Sequence, residues 1–174
     1  IVTADHGEEL LEHGFIGHPS TSFKGAAYDE LLRIPLIMTC PSLIPREMRV
    51  EMQVQNVDIF PTVLDLLGLP VPDTVDGRSL KPLLEGGAME EVPAYTETTP
   101  GGYQATPAMM KTRIRAVRTS TWKLIHTHGP DEDRYELFDL VVDPGERTNL
   151  ADRQSDRVAT MRADLHQWVL AAQP

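Results

Sequence analysis

Asp5, His6 and Gly7 stand together at the end of a short apolar run, Ile1-Val2-Thr3-Ala4. A carboxylate oxygen and an imidazole nitrogen projecting from one strand end can share a hard or borderline divalent cation. Gly7 is expected to let the backbone turn sharply just past them. The same residues also read as a loop aspartate capping a helix beside a solvated histidine, and three letters leave both readings open. His13 and His18 flank the following loop, whose Gly, Pro and Ser content marks an irregular surface segment of the kind that carries function. Lys24 closes that loop. Its compact ammonium can meet sulfate or phosphate oxygens at a metal, or can serve only as a solubilising charge. Glu8, Glu9 and Glu12 read most simply as the solvated face of a helix. Ser20 and Ser22 lie near His18, but no nucleophile elbow and no Gly-rich phosphate loop accompanies them. The residues alone therefore amount to half of a metal–anion site without a nucleophile.

The elements that must position these groups are of α/β type over the first 90 residues. Residues 1–4 read as a strand, 26–33 as a short helix, and 34–40 as a continuous apolar strand of the buried kind. The segment 57–70 carries helix signals: Asp58 as N-cap, Pro61 in the first turn, Gly68 as the stop and Pro70 beyond it. Ile59, Val63, Leu66 and Leu67 fall on one side of that helix. A second short helix is expected in 79–87, capped by Ser79. Character changes near 88–93, so the expected organisation is an α/β part over 1–90 and an α+β subdomain over 91–174. In the latter, 112–119 and 121–127 alternate with period two, Arg113 and Arg115 against Ile114 and Ala116. Residues 134–140 form a third strand, 143–152 are rich in turn residues, and 155–172 form an amphipathic helix. Val158, Met161, Leu165, Trp168 and Val169 recur on one face of it. The expected arrangement is a small antiparallel sheet packed on that terminal helix.

Composition narrows the function. The 174 residues carry 16 Lys and Arg against 26 Asp and Glu, a formal charge of −10, which disfavours a nucleic-acid backbone as partner. No apolar run reaches the roughly 18–20 residues of a membrane-spanning helix. Cys40 is the single cysteine, which excludes an internal disulfide and a thiolate-rich zinc site. It is expected to be a buried structural thiol at the end of the 34–40 strand.

In order along the chain, "TADHGEELLEHG", "KGAAYDELLRIPLIM", "VDIFPTVLDLLGLP", "DGRSLKPLLEG", "AVRTSTWKLI" and "YELFDLVVDPGERTNLA" resemble the C-terminal half of a sulfatase, in the alkaline-phosphatase-like superfamily. The resemblance spans nearly the whole chain. It implies the C-terminal part of an α/β sandwich followed by the small antiparallel subdomain. It further implies that Asp5 and His6 are two ligands of a divalent ion, most simply Ca2+, with Mg2+ or Mn2+ as alternatives. Lys24, eleven residues before Pro35, has the spacing of the lysine that holds the sulfate. His18 corresponds to a histidine that some members place in this loop, as a catalytic candidate, and His13 reads as a residue that orders the loop.

The implied reaction is hydrolysis of a small-molecule or carbohydrate sulfate ester by a formylglycine hydrate. Lys24 would neutralise charge that develops on the sulfuryl oxygens. Formylglycine arises from Cys or Ser in a Cys/Ser-x-Pro-x-Arg motif, which this sequence lacks. "CPSLIPR" at 40–46 has Pro and Arg at other offsets. The expectation is therefore a portion of a larger enzyme, inactive by itself, with nucleophile and upstream metal ligands elsewhere and a sheet edge available for a partner or a second copy. Histidine at position 6, where many sulfatases have Asn, is shared with phosphonate monoester and phosphodiester hydrolases, the alternative reading beside a non-catalytic module.

Overall fold

Two compact units emerge in the computed structural model, which describes residues 1–18, 26–44, 48–101 and 106–172. One comprises Ile1–Val2 and Leu36–Ala94, the other Thr3–Pro35 and Tyr95–Pro174.

The second unit is built on a four-stranded sheet of order β5-β6-β7-β8 (Ala94–Thr98, Arg113–Arg118, Trp122–Gly129, Glu132–Asp139). β6, β7 and β8 pair antiparallel, with Val117 opposite Leu124 and Leu124 opposite Leu137. Alternation along the strands gives the sheet two different faces. Val117, Leu124 and Leu137 pack beneath Met161 and Leu165 of the terminal helix α4 (Ser155–Ala171). Trp168, one turn further along, stacks on Tyr95 with ring centroids 5.3 Å apart. Ile114, Ala116, Ile125 and Phe138 point to the other face and pack against Ala27, Tyr28 and Leu32. The last two flank or belong to the short helix α1 (Asp29–Leu32). The expected alternating strands and terminal helix are thus present, and β5 joins them as a strand the alternation did not reveal.

Asn149 extends the edge of β8 without being a strand. Its Oδ1 accepts from the amides of Leu137 and Ala151, and its Nδ2 donates to the Tyr135 carbonyl. One side-chain amide thereby satisfies backbone groups that a neighbouring strand would otherwise take.

Two hairpin strands, β2 (Glu9–Leu10) and β3 (Ile16–Gly17), complete this unit. They overturn the reading of Glu8, Glu9 and Glu12 as a helix face. The segment is extended, Glu9 is 1% exposed, and Leu10 is 69% exposed, so the strand buries its acid and shows its leucine.

In the first unit, the strand expected over 34–40 shrinks to β4 (Leu36–Ile37), paired with β1 (Val2–Thr3). Ile37 is exposed rather than buried, because β4 has a neighbour on one side only among the described residues. Cys40 is half-buried instead of buried. Its carbonyl accepts from the Leu43 and Ile44 amides, so it opens a turn.

The helix expected at 57–70 is α2 (Ile59–Leu66), but its buried side is not the apolar one. Pro61 and Thr62 are buried, whereas Leu67 is exposed. Thr62 Oγ1 donates to the Asp58 carbonyl (2.5 Å) and accepts from the Leu80 amide (2.8 Å). The Asp58 carboxylate accepts from the Gln55 and Arg78 amides, so it ties down the turn before α2 and a distant loop rather than capping α2 itself. Gly77 makes this fit possible: a Cβ there would lie 2.1 Å from the Val57 carbonyl oxygen. The expected cap at Ser79 is displaced, because Leu80 is the N-cap of the shorter helix α3 (Lys81–Leu84) and Ser79 lies just before it. Ser79 Oγ accepts from the Lys81 amide at the start of α3 and donates to Asp65.

Candidate functional site

The turn that follows β1 carries Asp5, His6 and Gly7, and it is held from below by α1. The Gly7 amide donates to the Leu31 carbonyl (2.8 Å). A Cβ on Gly7 would fall 1.9 Å from the Glu30 carbonyl oxygen, so only glycine lets the turn approach this closely. Space, rather than a left-handed backbone, is what the position demands: positive φ occurs at Gly14 and Gly17 but not at Gly7.

Asp5 is exposed, and its Oδ1 accepts from the His6 amide (3.0 Å). That hydrogen bond, with the nearby His6 imidazole, holds its carboxyl below the usual carboxylate range. His6 Nδ1 lies 2.7 Å from the Gly7 carbonyl oxygen. A carbonyl only accepts, so the proton of neutral His6 is on Nδ1 and the lone pair on Nε2. Nε2 then faces Asp5 Oδ2 at 3.6 Å. Two acceptor atoms facing each other at this separation can take a cation between them. This donor set, one carboxylate and one backbone-oriented imidazole, fits a divalent ion.

The hairpin supplies two more groups. Its register pairs Glu9 with Gly17, which sets Glu8 opposite His18 just outside the pair. Glu8 accepts from His18 Nδ1 through both oxygens (3.1 and 3.0 Å). The His18 and His6 rings lie 4.3 Å apart. His6, Glu8 and His18 together offer ligand atoms within 4.8 Å of one another. Glu8 is the member that sequence reasoning missed. Its signal lies in hairpin pairing across ten residues, which no local periodicity reveals. Lys24, Ser20 and Ser22 lie outside the described residues.

Behind the hairpin lies a second layer of charge. His13 stacks on Tyr28 (3.6 Å between centroids) with Nε2 3.5 Å from Glu30. Tyr28 in turn donates to Glu136 (3.0 Å). Glu9 points into this layer with both carboxylate oxygens buried and without a hydrogen-bond partner. Burial first, then the Glu30, Glu12 and Glu146 carboxylates, pushes its carboxyl up to about 7. A group raised in the folded state contributes stability below its unfolded value and loses it as pH rises through the folded one. Wild type should therefore lose stability relative to Glu9→Gln as pH climbs from about 4.5 to 7. Paired urea melts at pH 4.5 and 8 test this: the variant should be the more stable at pH 8 and the two nearly equal at pH 4.5. Equal midpoints at both pH values would show that Glu9 is ionised at no cost.

This strand-end constellation, in one unit with an antiparallel sheet under a terminal helix, matches the fold of solved alkaline-phosphatase-like hydrolases. The family model described as "N-sulphoglucosamine sulphohydrolase, C-terminal" matches residues 17–173, and the chain belongs to this sulfatase family. It is 35% identical to an N-acetylglucosamine-6-O-sulfatase of Bacteroides thetaiotaomicron over 152 residues, covering 86% of this chain and 26% of that protein. A solved protein in complex with its substrate D-glucosamine-2-N,6-O-disulfate superposes with a TM-score of 0.72 at 31% identity, covering 98% of this chain and 33% of that one. The phosphonate monoester hydrolase of Agrobacterium radiobacter gives 0.70 at 30% identity, over 97% and 33%. The chain thus spans about a quarter to a third of the length of these relatives. Sulfatases as a family are hydrolases of sulfate esters that use a divalent metal and a formylglycine. Among the described residues, no helix is long and apolar enough to cross a membrane.

Proposed function

We propose that this chain supplies the trailing half of the catalytic site of an enzyme that hydrolyses carbohydrate sulfate esters. The carrying observation is the contact of His6 Nδ1 with the Gly7 carbonyl at 2.7 Å, which turns Nε2 towards Asp5 at 3.6 Å. Asp5 and His6 would hold a divalent ion, with Ca2+ the choice that the family resemblance implies. When bound, the ion polarises sulfuryl oxygens, and a formylglycine hydrate carried outside these 174 residues supplies the nucleophile. The chain's own residues orient and balance charge. Glu8 fixes the Nδ1–H of His18, which makes Nε2 the basic nitrogen, able to exchange a proton at the leaving-group oxygen. Lys24 adds positive charge for the sulfuryl oxygens.

Sulfated amino sugars are the substrate class we favour, because one relative is named an N-acetylglucosamine-6-O-sulfatase and one solved neighbour takes D-glucosamine-2-N,6-O-disulfate as its substrate. The phosphonate hydrolase likeness, together with His6, keeps phosphonate and phosphodiester hydrolysis as the second reading. Steady-state rates of the complete enzyme on 4-nitrophenyl sulfate, glucosamine 6-sulfate, a phosphodiester and a phosphonate monoester separate the two. The sulfate esters are expected to be the faster substrates, and a preference for the phosphorus esters would reverse the assignment. The 174-residue chain by itself is expected to turn over none of them above a Lys24→Ala control.

A further inference from the structure

The α4-facing side of the sheet changes character towards the β7–β8 turn. Val117, Leu124 and Leu137 give way first to Arg115, His126 and Tyr135, and then to Arg113, His128 and Asp133. His126 and His128 share this face because they are two residues apart on β7. Gly129 pairs with Glu132 across a two-residue turn, so Asp133 is locked directly opposite His128 and diagonal to His126. A single oxygen of Asp133 serves both imidazoles. Oδ1 lies 2.7 Å from His126 Nε2 and 3.4 Å from His128 Nδ1.

We propose that His126, His128 and Asp133 form a transition-metal site that takes Zn2+ or a similar borderline divalent ion. Tetrahedral bonds of about 2.0–2.1 Å place ligand atoms roughly 3.3 Å apart. The two separations straddle that value, and all three ligand atoms lie within 4.8 Å of one another, so an ion between them asks for little rearrangement. Two imidazoles with one carboxylate select zinc, nickel or copper over calcium and magnesium. His126 is the ordered ligand: its side chain is 17% exposed and its ring stacks on Tyr135 with centroids 4.2 Å apart. His128 and Asp133 are more open, which leaves a coordination position for water or an external ligand. The nearest cations on this face do not oppose the ion with full charge, because Arg113 and Arg115 are both ion-paired to Glu97 on β5. Nothing in the proposed sulfate chemistry uses this cluster, and its location on the hairpin makes it a clamp across β7 and β8.

Zn2+ titration of the protein in chelated buffer, read by calorimetry and bound-metal analysis, tests the site. His126→Ala/His128→Ala is expected to lose one equivalent, and Asp133→Asn to weaken that equivalent by about tenfold or more. His18→Ala should leave it in place, which separates it from the Asp5–His6 constellation. Substoichiometric Cu2+ should broaden the amide resonances of 126–128 and 133 in the wild-type protein, a readout independent of any variant's folding. Unchanged zinc stoichiometry in the folded double variant, or broadening confined to other residues, would overturn the proposal.

Discussion

Replacing Lys123 with methionine is expected to cost about 3–5 kcal/mol of stability, the range for stripping one partner from a buried ion network. Lys123 is fully buried. Its Nζ lies 2.9 Å from Asp29 Oδ1 and 2.8 Å from Glu146 Oε1, and Glu146 is fully buried as well. Arg118 completes the group through Nη2, 2.7 Å from Asp29 Oδ2. The four charges cancel in pairs. Burial pushes the Asp29 carboxyl up, but the Arg118 hydrogen bonds and the Lys123 charge outweigh it and bring it to about 2. Burial leaves Glu146 above its usual range despite Lys123.

Methionine keeps the length of the stem and removes the ammonium, so Glu146 would lose its cation and retain only the Asp29 amide (2.6 Å). Its carboxyl should rise further, and the sign follows: a raised acid is penalised above its folded value, so the deficit should be larger at pH 8 than at pH 5. Lys123→Met/Glu146→Gln should recover part of the loss. Urea denaturation of both variants at the two pH values measures this, and a single-variant cost under 1 kcal/mol would show that the network is not a stabilising unit. The consequence reaches the candidate site, because α1 hangs on this network through Asp29 and carries the Leu31 carbonyl that holds Gly7.

In the complete enzyme, Asp5→Asn is expected to lower kcat/KM by at least about 10²–10³-fold, comparable with removing one preorganised electrostatic group from an active site. The substitution keeps the size of the side chain and an oxygen that can accept from the His6 amide. It removes the charge that faces His6 Nε2. Calcium-linked stabilisation should fall with it. A protein at a hundredfold excess of ligand over Kd gains about 2.7 kcal/mol, and the variant should show little of that gain at the same concentration. Thermal melts with and without Ca2+, beside the kinetics, read the two effects separately. Lost activity with unchanged calcium stabilisation would place Asp5 in catalysis but outside the metal shell. Retention of both would remove it from the site.

What was legible in the sequence follows from where each signal resides. The terminal helix was readable because Met161, Leu165 and Trp168 repeat at a helical period and their partner is one continuous apolar sheet face. β6 shows its alternation because Ile114 and Ala116 go inward while Arg113 and Arg115 face Glu97. The order of family-like segments was also legible, and with it the sulfatase family. Periodicity identifies a helix but not the neighbour it meets, so the apolar side of α2 did not reveal which residues it buries. The loop at 77–80 instead brings backbone amides that Asp58 and Thr62 satisfy.

By itself the sequence determined that Asp5 and His6 sit together past a strand, because neighbours in the chain stay neighbours in space. Tertiary structure decided the rest of the candidate site. Pairing in the β2–β3 hairpin joined Glu8 to His18 across ten residues. A glycine-only contact with α1 held the turn in place, and four charges separated by up to 117 residues anchored α1 to the sheet. Such links depend on chain reversals and burial, and a buried Glu9 or Lys123 carries no mark in its local sequence to set it apart from a surface charge.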